Sequence, residues 1–193
     1  MTPVTDGAEG DSTRWLTDRQ QRAWRAFIRA KLLLDNELDR QLQRDAGMPH
    51  TYYAILVSLS EAENQALRMS DLAATLCYSA SRLSHAVSRM EAAGWVRRLA
   101  DPDDRRGTRA ILTEEGFDTL RAAAPGHVDC VRENIFDRLT DEQVEVFGDA
   151  CEAILAGLSP GALSPGAPPP GTLPPGALPP GAVPAHEPVR RAG

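Results

Sequence analysis

The sequence predicts a mainly α-helical domain that carries one small β-hairpin, with long helices before and after it. Three observations carry that expectation. The run from Met69 to Thr113 holds two short helical patterns joined by a tight break, followed by two strand-like runs around a turn-rich loop. Well upstream, Trp24, Phe27, Ile28, Leu32, Leu34, Leu38 and Leu42 trace one apolar stripe at helical spacing. Downstream, Val144, Phe147, Cys151, Ile154, Leu155 and Leu158 trace another.

Residues 1–13 are small, polar and acidic and read as a disordered leader. Thr17 and Gln20 form a capping box that opens a helix running to about Asp45, about 28 residues long. Gly47, Met48 and Pro49 break it, and Thr51 opens the next helix, with Tyr53, Leu56, Val57 and Leu59 as inner residues and an end between Glu61 and Ala66. Ser70 is expected to cap a short helix with Leu72, Ala73 and Leu76 on one face, which breaks at Cys77 to Ser79. Ser79 then caps a second helix. There Leu83, Val87 and Met90 recur at i, i+4 and i+7, so Ser81, Arg82, Ser84, His85, Ser88 and Arg89 mostly face away. Gly94 ends it as a C′ glycine.

Trp95 to Leu99 and Thr108 to Leu112 read as strands, and ADPDDRRG between them is a loop with Arg105 and Arg106 near its tip. Thr113, with Glu114 and Glu115 in the first turn, starts a long helix carrying Phe117, Leu120, Val128, Val131, Ile135 and Phe136. Pro125 and Gly126 predict a kink or a split in it. Thr140 and Gln143 form a second capping box for the last helix. From 159 to 193, glycine recurs every five residues behind proline, at Gly161, Gly166, Gly171, Gly176 and Gly181. Collagen needs glycine at every third position, so this stretch reads as a disordered, partly polyproline-like tail.

Helix, turn, helix, strand, basic loop, strand is the order of a winged helix-turn-helix, in which the second helix enters a DNA major groove. The charge distribution agrees, although the whole chain carries −6. From Ser79 to Arg109 there are seven Arg against one Glu and three Asp, which makes the segment +3 and leaves −9 for the rest. Short donors and acceptors fit base edges and cations fit phosphates, so Ser79, Ser81, Arg82, Ser84, His85, Ser88 and Arg89 are the groove and rim candidates. Arg82 is the foremost base reader, because its planar fork takes both acceptors of a guanine. Arg105 and Arg106 reach a minor groove, or one of them is internal to the wing. Arg97, Arg98 and Arg109 divide between phosphates and solvent.

Other classes fare poorly. Cys77, Cys130 and Cys151 form no close pair, and His50, His85, His127 and His186 have no metal-ligand spacing. No nucleophile motif or glycine-rich phosphate loop occurs, so no catalytic residues, metal or cofactor are expected. The absence of an apolar run of about 18 residues or a signal-peptide pattern predicts a cytoplasmic protein with no membrane partner.

The SRLSHAVSRMEAAGWVRR and DPDDRRGTRAILTEEG runs, flanked by long helices, resemble the MarR family of bacterial winged-helix transcriptional regulators. The most specific part is Asp104 and Arg106 of the wing followed by Leu112, Thr113 and Gly116. The resemblance implies a domain over 14–158, with a DNA-binding lobe at about 50–113 and dimerisation helices at about 14–46 and 114–158. It implies a homodimer on double-stranded DNA at a pseudo-palindromic operator, its recognition helices about 34 Å apart. It also implies a repressor released by a small-molecule effector, for which Trp24, His50, Tyr52 and Tyr53 are candidate contacts, and a wing in which Asp104 holds Arg106 by an ion pair. The alternatives are a redox sensor acting through Cys77, near the recognition-helix N-cap, and a winged helix used as a protein-interaction module. Cys77 reads first as a small buried residue closing the turn, and Cys130 and Cys151 as structural.

Overall fold

A computed structural model describes residues 13–102, 104 and 107–158. The expected leader, Thr13 excepted, and the Pro/Gly tail lie outside the described residues. The elements in order are α1 (Asp18–Ala46), α2 (His50–Glu61), β1 (Ala66–Arg68), α3 (Met69–Thr75), α4 (Ala80–Ala92), β2 (Val96–Ala100), β3 (Thr108–Leu112), α5 (Glu114–Asn134) and α6 (Asp141–Leu158). The chain divides into two compact units inside α1, one ending at Asn36 and the other beginning at Glu37.

In the first unit, the capping box is present: Thr17 N–H donates to Gln20 Oε1 at 2.9 Å, and Gln20 N–H donates to Thr17 Oγ1 at 3.3 Å. The rings of Trp24 and Phe27 lie 6.2 Å apart, and both side chains, with Trp15, Leu16, Leu32 and Leu33, are exposed.

The second unit is organised around α2. Its inner residues Tyr53, Leu56, Val57 and Leu59 are buried as expected, and Ala54, Ile55 and Ser58 are buried too, so the helix is covered all round. Ser58 tolerates this because its hydroxyl donates back to the Ala54 carbonyl at 2.9 Å. Leu72 and Leu76, then Leu83, Ala86, Val87 and Met90 of α4, close over α2, and Val96, Ala110, Leu112 and Leu120 complete the core. Truncating Leu83 to alanine would cost about 2–5 kcal/mol. The sheet is antiparallel in the order β1-β3-β2, with Ala66 opposite Ile111 and Val96 opposite Leu112. β1 has no counterpart in the sequence reading: three residues are too few to show alternation.

Several local expectations are corrected. Ser70 does not cap α3; Arg68 is the N-cap residue without a side-chain bond, and Ser70 Oγ donates to Asp71 Oδ1 instead. Thr51 does not open α2, which starts at His50 behind Pro49, and the His50 N–H is taken up by Asp39 Oδ1 at 2.8 Å. α5 is not split at Pro125 but runs unbroken to Asn134. The first strand of the hairpin is shifted by one residue, to Val96–Ala100. The caps at Ser79, Thr113 and Thr140 stand: Thr113 Oγ1 accepts from Gly116 N–H at 3.0 Å, and Thr140 Oγ1 from Gln143 N–H at 3.3 Å.

Candidate nucleic-acid interface

α4 is the recognition helix of the pattern, and its orientation follows from its two ends and its buried stripe. Ser79 Oγ accepts from the Arg82 N–H at 3.2 Å, which fixes the start. Gly94, at φ +81°, lets the chain reverse into β2, with Trp95 N–H donating to the Met90 carbonyl at 3.0 Å. With Leu83, Ala86, Val87 and Met90 buried, Ser81, Arg82, His85, Ser88 and Arg89 are exposed and Ser84 is half-buried. His85 is therefore no core histidine.

Two of these candidates are already engaged within the protein. The Arg82 guanidinium lies over the Tyr78 ring, 4.3 Å from its centroid, and its Nη2 donates to Thr51 Oγ1 at 3.2 Å. Ser88 Oγ accepts from Arg98 Nη2. That arginine also donates its backbone N–H to Glu91 Oε1 at 3.0 Å and holds its Nε 3.3 Å from Glu91 Oε2. Arg98 thus ties β2 to the recognition helix, a role the sequence reading left undivided among the wing arginines. Arg97 is exposed.

In the wing, Arg105 and Arg106 lie outside the described residues, and so does the expected pairing of Asp104 with Arg106. What the sequence reading missed stands at the wing's root. Asp101, whose side chain is fully buried, is paired with Arg68: Nη2 donates to Oδ1 at 3.3 Å, and Nε lies 2.8 Å from Oδ2 as an ion-pair contact. Arg109 Nε is 3.4 Å from the same Oδ2. The only local signal was an aspartate ahead of Pro102, which reads as a turn residue. Between the starts of α3 and α4 and the wing lies an open groove of about 460 Å³, lined in part by Arg68, Ser70, Ser84, Arg98 and Thr108.

The turn between α3 and α4 corrects another expectation. Cys77 is exposed, not buried, and adopts the left-handed conformation at φ +53°, with its N–H donating to the Ala74 carbonyl at 3.1 Å. Cys130 is buried, and burial first, then the Glu37 charge, pushes its thiol pKa up. Cys151 is half-buried.

Of the effector candidates, Tyr53 is fully buried, and its ring lies 4.2 Å from that of His127, itself stacked on His50 at 5.6 Å. Burial raises the Tyr53 pKa. Burial, then the nearby His50, lowers His127 to about 4. Tyr52 packs edge-on against Trp95 at 6.5 Å. Trp24 belongs to the first unit, where it pairs with Phe27. Among the described residues, no three His, Cys, Asp or Glu are placed to hold a metal, and no helix is long and apolar enough to cross a membrane.

A MarR family model matches residues 46–107, which span α2, the helix-turn-helix and the start of the wing. The chain is also 54% identical to Sco3205, a MarR family transcriptional regulator from Streptomyces coelicolor whose crystal structure is in complex with DNA. That match covers 78% of this chain and 94% of Sco3205, with a TM-score of 0.74. The chain belongs to the MarR family. A second MarR regulator of Streptomyces coelicolor, AbsC, is 44% identical over 77% of this chain and 99% of its own, with a TM-score of 0.71. Among curated relatives, the transcriptional repressor MprA of Escherichia coli K12 is 28% identical over 101 residues. That match takes in 52% of this chain and 56% of MprA, so the chain spans about half the length of this curated relative. These MarR relatives are transcriptional regulators and not enzymes.

Proposed function

We propose that this protein is a homodimeric, sequence-specific DNA-binding transcriptional regulator, a cytoplasmic repressor that leaves a pseudo-palindromic operator when a small molecule binds. The observation that carries the reading is the outer face of α4: Ser81, Arg82, His85, Ser88 and Arg89 stand exposed on a helix whose other side is locked into the core, beside a hairpin rooted in arginines. Short polar groups with cations at the rim are what a major groove accepts. A protein-docking winged helix would present an apolar or acidic face there. The DNA complex of Sco3205 and the repressor designation of MprA support the same reading.

Dimerisation rests on uncovered apolar faces in each unit. α6 has no buried residue, and Val146, Phe147, Ile154, Leu155 and Leu158 are exposed along it. In the first unit Trp24, Phe27, Leu32 and Leu33 of α1 are exposed as well. Faces of this kind are covered by partners in stable proteins, and a second copy supplies the symmetry that two half-sites require.

One observation favours a second reading of the signal. Cys77 is exposed in the turn ahead of α4, which keeps oxidant sensing through this thiol in competition with a bound effector. The experiment is binding selection on random duplex DNA with the full chain, followed by a salt titration of the selected site. A two-fold-symmetric consensus is expected, with a log–log salt slope of about −0.9 per phosphate neutralised. A monomer at micromolar concentration, or no consensus, would refute the proposal.

A further inference from the structure

We infer that Asp101 is the positioning residue of the wing: one buried carboxylate clamps the hairpin to the strand that leads into the helix-turn-helix, and thereby sets where the wing meets DNA. The inference rests on the DNA-binding reading above and gives a role to a residue for which the family resemblance states none.

The argument begins with register. Arg68 and Arg109 are direct partners across the antiparallel pair β1·β3, a juxtaposition in which two like charges repel. Asp101 stands one residue beyond the end of β2, the other neighbour of β3. Its carboxylate reaches across and engages both cations, Arg68 through two contacts and Arg109 through one. The Asp101 side chain is 0% exposed, whereas each arginine side chain keeps 37% exposure. A buried carboxylate with no partner would be strongly unfavourable, so the clamp has one low-energy arrangement.

The same residue also ends the hairpin. Asp101 N–H donates to the Gly107 carbonyl at 2.9 Å, and Gly107 N–H donates to the Asp104 carbonyl at 2.8 Å. A Cβ on Gly107 would lie 2.9 Å from the Asp101 Cβ, so the two strands approach this closely only with glycine there. Arg68 in turn is the N-cap residue of α3. Through Asp101, the root of the wing is therefore bonded to the entry of the helix-turn-helix. Arg98 fixes the same hairpin to α4 independently, through Glu91 and Ser88. Two struts hold the wing at a set angle to the recognition helix, and the Asp101 strut is the one at the base of its loop.

The test uses the full-length protein and Asp101→Asn, which keeps the shape and removes the charge. Hydrogen exchange of the β2 and β3 amides is expected to rise about tenfold, with α2 and α4 unchanged, because the opening is local. Affinity for the selected operator is expected to fall about tenfold, with loss of backbone protection outside the half-sites and an unchanged consensus inside them, since the base-reading helix keeps its place. Wild-type exchange and affinity in the variant would overturn the inference. So would exchange that rises equally throughout the chain, which would mark a merely structural residue.

Should Asp101→Asn not fold, Arg68→Gln and Arg109→Gln each remove one arginine from the clamp and are expected to show the same local pattern at smaller size. Wild-type behaviour in both would likewise overturn it. Combining Asp101→Asn with Arg109→Gln removes the unshielded cation pair, so the double variant is expected to lose less than the sum of the singles. If the wild type selects no DNA at all, the functional reading fails, yet the exchange data still decide whether Asp101 holds the wing.

Discussion

His127 should make this protein sensitive to mild acid, and its size can be worked out. The side chain is 5% exposed on α5, packed against Tyr53 and stacked on His50. Burial, then the charge of His50, lowers its pKa from 6.5 to about 4. Between those values the unfolded chain binds a proton that the folded chain refuses. The stability contributed by the neutral imidazole is therefore present in full above pH 6.5 and lost as pH falls toward 4. With 1.36 kcal/mol per pKa unit, the loss is about 2 kcal/mol at pH 5 and on the order of 3 kcal/mol below pH 4. Replacing the ring by phenylalanine keeps its volume and removes the titration. Urea unfolding at fixed protein concentration, at pH 7.5 and pH 5, is expected to show His127→Phe losing about 2 kcal/mol less than the wild type over that interval. Parallel pH curves for the two proteins would refute the reasoning. Glu61 acts in the opposite direction: burial raises it to about 7, so its contribution is lost as pH rises from 4.5. It is half-exposed and screened, and Glu61→Gln separates its slope from that of His127.

Other outcomes follow from the site. Arg82→Ala should relax specificity at one base pair per half-site at a cost of about 1–3 kcal/mol, whereas Arg106→Ala should weaken binding across many sequences; identical profiles on an operator library would refute the division. Cys77→Ser should keep both operator binding and inducibility, and mild peroxide that releases only the wild type would give the signal to the thiol instead. Deleting residues 159–193, a Pro/Gly repeat with little to bury, should leave thermal stability, dimerisation and operator affinity nearly unchanged; a large fall in Tm would show that the repeat docks.

The sequence by itself determined most of what depends on neighbours within a turn or two. Helical stripes placed α1, α2, α4, α5 and α6, and the capping boxes at Thr17 and Thr140 and the caps at Ser79 and Thr113 appear in the structure because their donors and acceptors are three residues apart. The outward face of α4 was legible for the same reason: which side chains face away is set by helical period once Leu83, Val87 and Met90 are assigned to the core. Where two local signals competed, the reading failed. Ser70 and Thr51 look like caps, but the α3 and α2 starts are set by β1 and by Pro49 with Asp39.

Only the tertiary structure decided the rest. β1 is three residues long and exists because β3 offers it partners. Cys77 is exposed at a left-handed turn of the backbone, which no pattern of side chains announces. Arg98 on Glu91 and Ser88, Asp101 between Arg68 and Arg109, and His127 against Tyr53 and His50 each join residues of different elements. A charge or a ring reads the same in sequence whether it faces water or a distant partner. Its role here was fixed by which strand or helix folding brought opposite it, and by the burial that makes an unpartnered charge too costly to keep.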